Sequence, residues 1–341
     1  MNLLRNQTTV NLTFQQKLPL WMQDNNVPAV GIAVIENGAV KDLRVFGELR
    51  KGIPAPLNTI FEMASLTKPV VATLTLMLVD DGLWDLDEPL SRYWIDPDLV
   101  DDPRHQQLTT RIVLSHQTGF LNWRRYNPTN KLTFEFDPGT KHQYSGEGFE
   151  YLRHALENHF EKPLEQIAKS VLLKSLRMQD TRFFWDATLQ DSLFATPHDE
   201  QGKPVEEGRS FYQRTSEARG SDWLLTTVAD YGMFGVHALK KARESRGVFA
   251  EMVKTQVAVS EANHLSFGLG WLLITTLHTG EYAMMHDGSN PGVKTLVLLL
   301  PKTNRGVIIF TNGDNGTRLY KPVIREALDV GDEIAERLNW E

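Results

Sequence analysis

The two ends of the chain both carry β-strand patterns, and this arrangement constrains the fold more than any other feature of the sequence. Near the start, residues 29–35 and 39–46 are rich in strand-forming residues and flank Asn37-Gly38, a strong signal for a two-residue hairpin turn. The other terminal patterns are helices over residues 13–25 and 319–338 and four strands over residues 267–275, 281–286, 293–300 and 306–311. Together they predict one antiparallel sheet that is assembled from the two ends of the chain and covered by helices.

The middle of the chain has the pattern of helices. They are predicted over residues 65–81, 148–159, 163–176 and 222–242. The sequence therefore predicts a mixed α/β (α+β) fold in two parts. Residues 1–84 together with 260–341 form the sheet domain, and residues 85–259 form an inserted, mostly helical domain.

Composition excludes several classes of function. The chain has 341 residues, 41% of them hydrophobic and 23% charged, which is enough to bury a large core. Its formal net charge is -7 without a block of like charge, so we expect no nucleic-acid partner. The absence of cysteine excludes disulfides, thiol catalysis and thiolate zinc sites. Neither an H-E-x-x-H pattern nor a phosphate-binding loop is present, and we expect no metal and no cofactor.

The sequence carries no pattern for membrane insertion or export. No apolar run reaches the roughly eighteen residues that a membrane span needs. Residues 1–20 lack the basic start and continuous apolar stretch of a secretory signal. We therefore expect a soluble protein that either stays inside the cell or was cut after a signal peptide. The sequence leaves its oligomeric state open.

The first motif that carries chemistry is Ser65-Leu66-Thr67-Lys68, at the start of an apolar helix. Three positions apart on a helix, Ser65 and Lys68 lie on one face, so that the amine can accept the hydroxyl proton. A serine in the first turn also meets free backbone N–H groups and the positive end of the helix dipole. The alternative interpretation of this motif alone is a helix-capping serine next to a solvated lysine.

The second motif is Tyr144-Ser145-Gly146, just before a predicted helix. A tyrosine phenol can relay a proton between the attacking hydroxyl and the leaving group if a nearby cation lowers its pKa. Considered alone, a tyrosine in this position is usually a packing residue whose hydroxyl meets a backbone carbonyl.

The third motif is His286-Asp287-Gly288-Ser289, at the end of a predicted strand. The glycine lets a substrate lie against the strand edge, and the N–H of Ser289 can join that of Ser65 in holding an oxyanion. The alternative interpretation is a strand that ends in a turn.

Taken in order, the three motifs resemble those of the serine β-lactamase and D-alanyl-D-alanine peptidase superfamily, which are S-x-x-K, then Y-x-N or Y-S-x, then K-T-G or H-x-G. Segments similar to its class C-like branch, which includes β-lactamases, D-amino-acid peptidases and esterases, are at residues 114–119, 220–227, 267–271 and 310–313. The resemblance implies the fold of that superfamily and an acyl-enzyme mechanism that needs no cofactor. It implies that Lys68 and Tyr144 deprotonate Ser65 and that the N–H groups of Ser65 and Ser289 form the oxyanion hole. The substrate-binding residues that it implies are His286, Asp287, Gly288, Ser145 and Gly146.

Two positions depart from the pattern of the superfamily. Gly146 stands where many members have an asparagine that binds the substrate's amide, and this favours esters or small amides. His286 stands where a lysine would be permanently charged. If Asp287 raises the pKa of the imidazole, binding of a substrate carboxylate should weaken as pH rises. Lys294 is a second candidate cation, and residues 123–136 are expected to form one wall of the cleft.

The predicted function is that of a serine hydrolase that acts through an acyl-enzyme on a small molecule, which is an ester, a lactam or a small amide. One alternative is a D-alanyl-D-alanine carboxypeptidase or penicillin-binding protein. Another is a catalytically weak, penicillin-recognising binding protein, which would form a stable adduct without turnover. The motifs do not separate these, because the superfamily shares its acylation machinery and differs in the pocket.

Overall fold

A computed structural model of the protein describes residues 13–185, 192–205 and 217–340. Within them the strands are β1 (Ala29–Glu36), β2 (Ala39–Arg50), β3 (Ile53–Pro54), β4 (Ile60–Glu62), β5 (Leu225–Thr227), β6 (Val257–Ser260), β7 (Leu265–Phe267), β8 (Leu272–Ile274), β9 (Ala283–Asn290), β10 (Val293–Leu300) and β11 (Arg305–Thr311). The α-helices are α1 (Phe14–Asp24), α2 (Thr67–Asp80), α3 (Thr110–Leu114), α4 (Gly146–Phe160), α5 (Leu164–Ala168), α6 (Val228–Ala242), α7 (Val248–Met252), α8 (Tyr320–Ala327) and α9 (Gly331–Arg337). None of these helices is long and apolar enough to span a membrane.

Nine of the strands form one antiparallel sheet, in the order β3-β2-β1-β11-β10-β9-β8-β7-β6. The first strand of the chain pairs with the last, with Val30 opposite Thr311. The hairpin between β1 and β2 turns at Asn37 and Gly38, both of which have positive φ, as a two-residue turn of this kind requires. The predicted fold class, an antiparallel sheet built from both ends of the chain and flanked by helices, is confirmed.

The sheet is the middle layer of three, because helices cover both of its faces. Along β1, Ala33 and Ile35 face a large core on the side of α2 and α6. Val30 and Ile32 face a second core on the side of α1, α8 and α9. A strand that is buried on both faces is apolar at almost every position, which explains the unbroken run of β1.

The predicted strand over residues 267–275 is wrong as a single element, because it folds into the hairpin of β7 and β8. Gly268 and Gly270 lie in the turn between the two strands. Gly270 has φ +82, and a Cβ atom there would lie 2.2 Å from the Cβ of Ala72 on α2. The glycines therefore serve a sharp turn and a close approach to α2.

The predicted helix over residues 222–242 begins later than expected. Residues 225–227 form β5, which pairs with β4 to make a separate two-stranded sheet. Thr227 then caps α6, since its side-chain oxygen accepts a hydrogen bond from the N–H of Asp230. This T-x-x-D pattern marks the true start of the helix.

The predicted C-terminal helix over residues 319–338 is interrupted between α8 and α9. Leu328 is extended, with φ -136, and is buried in the second core. A Cβ atom on Gly331 would lie 2.5 Å from the carbonyl oxygen of Ile324. The chain therefore turns back tightly against the end of α8, and a continuous helix does not fit.

Helices and irregular segments make up most of the described residues between α2 and β5. Helix α6 packs against β1, β2 and β11, although it falls within the predicted insertion. The division into residues 1–84 plus 260–341 and residues 85–259 stays a prediction. The small β4–β5 sheet positions the functional site, because β4 leads directly into the turn that carries Ser65.

Candidate active site

Ser65 lies in a turn between β4 and α2. The preceding residue, Ala64, has φ +46, a left-handed conformation that is uncommon for a residue with a side chain. The N–H of Lys68 donates to the carbonyl of Ser65 over 3.0 Å, which closes the turn just before the helix. The structure thus places a half-buried hydroxyl at the amino end of an apolar helix, close to the predicted arrangement.

Lys68 is fully buried and points at the serine. Its Nζ lies 3.0 Å from Ser65 Oγ and donates to the carbonyl of Ser221 over 2.8 Å. Burial lowers the pKa of Lys68 from 10.5 to about 8, although the carboxylates of Asp222 and Glu150 favour the charged form. The alternative of a solvated lysine is wrong, and an amine with this pKa can accept a proton near neutral pH.

Tyr144 completes the group around the serine. The Nζ of Lys68 lies 4.9 Å from the centre of its ring, and the Ser65 side chain is near enough to affect the pKa of its phenol. The sequence suggested that a nearby cation would lower the pKa of this phenol, but desolvation raises it instead. Tyr144 is therefore a neutral phenol that can donate or relay a proton, and of the two groups Lys68 is the one available in its basic form near neutral pH.

Strand β9 passes directly beside the serine at Gly288. A Cβ atom at this position would lie 2.4 Å from the carbonyl oxygen of Met63 and 3.1 Å from the backbone nitrogen of Ser65. Thr295 on β10 holds the same segment, since its hydroxyl donates to the carbonyl of Met63 over 2.8 Å. Only glycine allows so close an approach, and Ser289 follows it on the strand. The joint oxyanion role of Ser65 and Ser289 stays a prediction.

His286 is placed differently from the sequence expectation. It is buried, and burial together with nearby Lys68 lowers the pKa of its imidazole to about 3. Its Nδ1 donates to the backbone carbonyl of Asp287 over 2.7 Å, while the Asp287 side chain is exposed. The imidazole is therefore neutral and cannot attract a carboxylate by charge. The expected weakening of carboxylate binding as pH rises has no basis in this geometry.

The second candidate cation, Lys294, is engaged within the protein. Its Nζ lies 3.1 Å from Asp314 Oδ1 and 3.2 Å from the carbonyl oxygen of Asn290. The pair nevertheless borders a cavity of about 390 Å³ that Ser289 also lines. Any substrate carboxylate would have to compete with Asp314 for this lysine.

Ser145 holds the loop of Tyr144 in place. Its buried hydroxyl donates to the carbonyl of Leu121 over 2.9 Å and accepts from the N–H of Gly148, which caps α4. Its backbone N–H donates to Nδ1 of His116 over 3.1 Å. Since the hydroxyl both donates and accepts a hydrogen bond within the protein, the structure favours a positioning role for Ser145 over the predicted contact with substrate.

Sequence reasoning missed several groups that surround the motifs. The ring of His116 packs on Tyr144 with 4.2 Å between centres. Glu150 accepts from the N–H of Ser221 over 3.0 Å, behind the carbonyl that Lys68 contacts. Glu62 is buried and accepts from the side chain of Asn290 over 2.6 Å.

Only two of these groups left a usable signal in the sequence. His116 and Ser221 fall in the segments that resemble the class C-like branch. The hydrogen bond between Glu62 and Asn290 joins residues that are far apart in the sequence, and it left no signal there. Among the described residues, no cluster of three or more His, Asp or Glu side chains is arranged to hold a metal ion.

Comparisons with known proteins agree with this geometry. Residues 14–331 match the family described as Beta-lactamase. The chain belongs to the β-lactamase family. The match covers α1 to α8 and includes all three motifs.

Similar members of the family are distant in sequence. "Protein flp" of Staphylococcus aureus (strain MW2) is 20% identical over 91% of this chain, and the chain spans only 64% of the length of that relative. The "D-alanyl-D-alanine-carboxypeptidase/endopeptidase AmpH" of Escherichia coli (strain K12) is 25% identical, with 85% of this chain and 81% of that protein covered. The solved structure of the octameric penicillin-binding protein homologue from Pyrococcus abyssi has a TM-score of 0.75 at 20% identity, over 95% of this chain and 76% of that one.

The departure at Gly146 from the family's usual asparagine has a structural counterpart. A Cβ atom on Gly146 would lie between 2.7 and 3.0 Å from three ring atoms of Trp123. Of the residues 123–136 that were expected to form one wall of the cleft, Trp123 and Tyr126 line the cavity beside Ser289. Arg124, in contrast, turns away to bind Asp96, Asp98 and Glu147.

Proposed function

We propose that this protein is a serine hydrolase that forms an acyl-enzyme on Ser65 and acts on an ester or a small amide. This proposal rests on the contact between the buried amine of Lys68 and Ser65 Oγ, which are 3.0 Å apart. A lysine in water would be protonated near neutral pH, whereas this one has its pKa lowered to about 8. Such an amine is suited to take the proton of an attacking hydroxyl.

The proposed acylation begins when Lys68 accepts the proton of Ser65 and Oγ bonds to the substrate's carbonyl carbon. The N–H groups of Ser65 and Ser289 stabilise the negative charge on the carbonyl oxygen. The neutral phenol of Tyr144 gives its proton to the departing alcohol or amine as the old bond breaks, and it recovers a proton from Lys68. Water then attacks the acyl-enzyme by the reverse route and releases the acid.

The chemistry of the strand edge supports esters and small amides over substrates with a carboxylate. His286 is neutral, and Lys294 is paired with Asp314. Position 146 has no side chain that could bind a substrate's amide. Both features weigh against a carboxypeptidase or β-lactamase activity, although the name of the AmpH relative keeps carboxypeptidase activity as the second candidate.

The test is a rate comparison of p-nitrophenyl butyrate, nitrocefin and a D-alanyl-D-alanine peptide, with the intact mass of the protein followed during each reaction. We expect turnover that is fastest with the ester, and a mass increase by one acyl group that is absent in Ser65→Ala. Turnover of the ester by Ser65→Ala at the wild-type rate would contradict the assignment of the nucleophile. A burst without a steady state would instead indicate a binding protein that keeps its adduct.

A further inference from the structure

The indole of Trp123 occupies the volume into which residue 146 would project a side chain. We propose that Trp123 is the residue that selects the acyl group, by offering an apolar wall where many relatives offer an amide. This inference rests on the proposed function and names its substrate class, which is esters of apolar acyl groups that extend beyond acetyl.

A side chain at position 146 would collide with the indole of Trp123. The Cη2, Cζ2 and Cζ3 atoms of Trp123 would lie 2.7, 2.9 and 3.0 Å from a Cβ atom on Gly146. Real Cβ atoms essentially never approach other heavy atoms this closely, and a rigid ring cannot bend away as a flexible side chain can. Glycine at position 146 and tryptophan at position 123 therefore depend on each other.

The second observation is that the backbone around Trp123 is fixed. The carbonyl of Asn122 accepts from the N–H groups of Gly146 and Glu147, each over 3.1 Å. The side chain of Asn122 accepts from the N–H of Gly146 over 2.8 Å, and the N–H of Arg124 donates to Glu147 over 2.9 Å. The loop is thus bonded on both sides of Trp123 to the start of α4.

The indole itself packs against two guanidinium groups. The guanidinium carbons of Arg125 and Arg219 lie 4.9 and 5.6 Å from its ring. Cation–π contacts of this kind favour one orientation of the ring. Arg219 is in turn held by Asp222 over 3.0 Å, so the wall is connected to the residues that surround Lys68.

The third observation is the position of the ring. Trp123 and Tyr126 supply the aromatic part of the lining of the cavity of about 390 Å³, and its polar part includes Ser289, Asn290 and the Lys294–Asp314 pair. Ser289 follows Gly288, which lies against the nucleophile. An acyl group on Ser65 that runs along β9 into this cavity on the side of Trp123 meets the aromatic part of the lining, and contact with an indole favours apolar chains.

The specificity test compares kcat/KM for p-nitrophenyl butyrate and p-nitrophenyl acetate. In Trp123→Ala we expect the ratio of butyrate to acetate to fall about tenfold, because the longer chain loses its wall. Trp123→Phe, which keeps an aromatic face, should retain most of the ratio. A ratio that is unchanged in Trp123→Ala would overturn the proposal.

A double-mutant cycle tests the steric dependence without any substrate. We expect Gly146→Asn to lower the midpoint of urea unfolding, and the Trp123→Ala/Gly146→Asn variant to recover at least half of that loss. The double variant should also be acylated faster by nitrocefin than Trp123→Ala alone. Full stability of Gly146→Asn in the presence of Trp123 would refute the mutual dependence.

The two proposals fail in different ways. If the wild-type protein neither turns over p-nitrophenyl acetate nor forms an adduct on Ser65, the proposed function is wrong, whatever the unfolding data show. If adducts form in wild type and in Trp123→Ala with the same preference for butyrate, only the role of Trp123 is wrong.

Discussion

At the scale of single residues, the chemistry depends on one buried amine. Burial lowers the pKa of Lys68 to about 8, while Asp222 and Glu150 oppose that effect. The amine is neutral above this pKa and charged below it, and only the neutral form can accept the proton of Ser65. In the proposed mechanism, the environment of one lysine thus determines the pH at which Ser65 becomes a nucleophile.

We therefore predict that kcat/KM for p-nitrophenyl butyrate rises with pH and levels off above an apparent pKa of about 8. Asp222→Asn removes a carboxylate that favours the charged amine, so it should move this rise to lower pH. The exposed Asp24→Asn is the matched control and should leave it in place. Stopped-flow acylation between pH 6 and 10 measures the profile. The absence of a rise near pH 8 in the wild type would contradict a base with the lowered pKa of Lys68.

At the scale of elements, the candidate site is formed by β4, α2, the loop before α4, and β9. Glu62 at the end of β4 joins Asn290 at the end of β9, through a hydrogen bond of 2.6 Å. This contact fixes the strand that carries Ser289 to the segment that precedes Ser65. Burial, together with the charge of Asp222, raises the pKa of Glu62 from 4.5 to about 8, although the bond from Asn290 opposes this.

The raised pKa of Glu62 makes stability depend on pH. Between pH 4.5 and 8 the folded protein holds a proton on Glu62 that the unfolded chain has lost. The contribution of this proton to the free energy of unfolding is therefore complete at low pH and is lost as pH rises through about 8. Glu62→Gln cannot ionise and can still accept from Asn290. We predict that it becomes more stable relative to wild type from pH 5 to 9, by a few kcal/mol at most, since each pKa unit corresponds to about 1.4 kcal/mol.

Urea unfolding at several pH values measures this difference, and Glu36→Gln at the exposed end of β1 controls for the loss of one negative charge. If Glu62→Gln and wild type respond equally to pH, the carboxyl of Glu62 is not protonated in the folded protein.

The elements also show what the sequence could predict. The Asn37-Gly38 hairpin and the apolar strands β10 and β11 carry local signals, and they were found within a few residues. The strand predicted over residues 267–275 is wrong because Gly270 turns against α2 and Gly268 lies against Met252 of α7, and these are contacts with distant segments. The start of α6 was missed although Thr227 carries a capping signal.

The candidate site divides in the same way. The motif residues Ser65, Lys68 and Tyr144 were found because each stands in a short recognisable pattern. The burial that lowers the pKa of Lys68 and of His286 was not predicted, since it arises from packing between distant segments. The pairing of Trp123 with Gly146 was also missed, because single residues far apart in sequence carry no pattern that links them.

At the scale of the whole molecule, we infer that both chain ends and the middle of the chain assemble together. The contacts between these three parts of the chain meet at Asn312. Its side chain is buried just beyond β11, accepts from the N–H of Ala29 over 2.7 Å and donates to the carbonyl of Thr196 over 3.0 Å. Its own carbonyl accepts from the N–H of His198 over 2.9 Å. One amide thus connects the first strand, the last strand and the segment that runs between them.

Asn312→Ala would leave the buried N–H of Ala29 without its partner, and an unsatisfied buried group costs about 1–3 kcal/mol. We predict a loss of free energy of unfolding of about that size, in a single cooperative transition because the affected contacts join all parts of the sheet. Asn158→Ala, which removes an exposed amide with one bond to the carbonyl of Tyr93, is the control and should cost much less. Urea unfolding followed by tryptophan fluorescence and by circular dichroism measures both variants. If the two probes separate in Asn312→Ala, the chain ends form a unit that unfolds independently of the middle, and the single assembly inferred from this contact would be wrong.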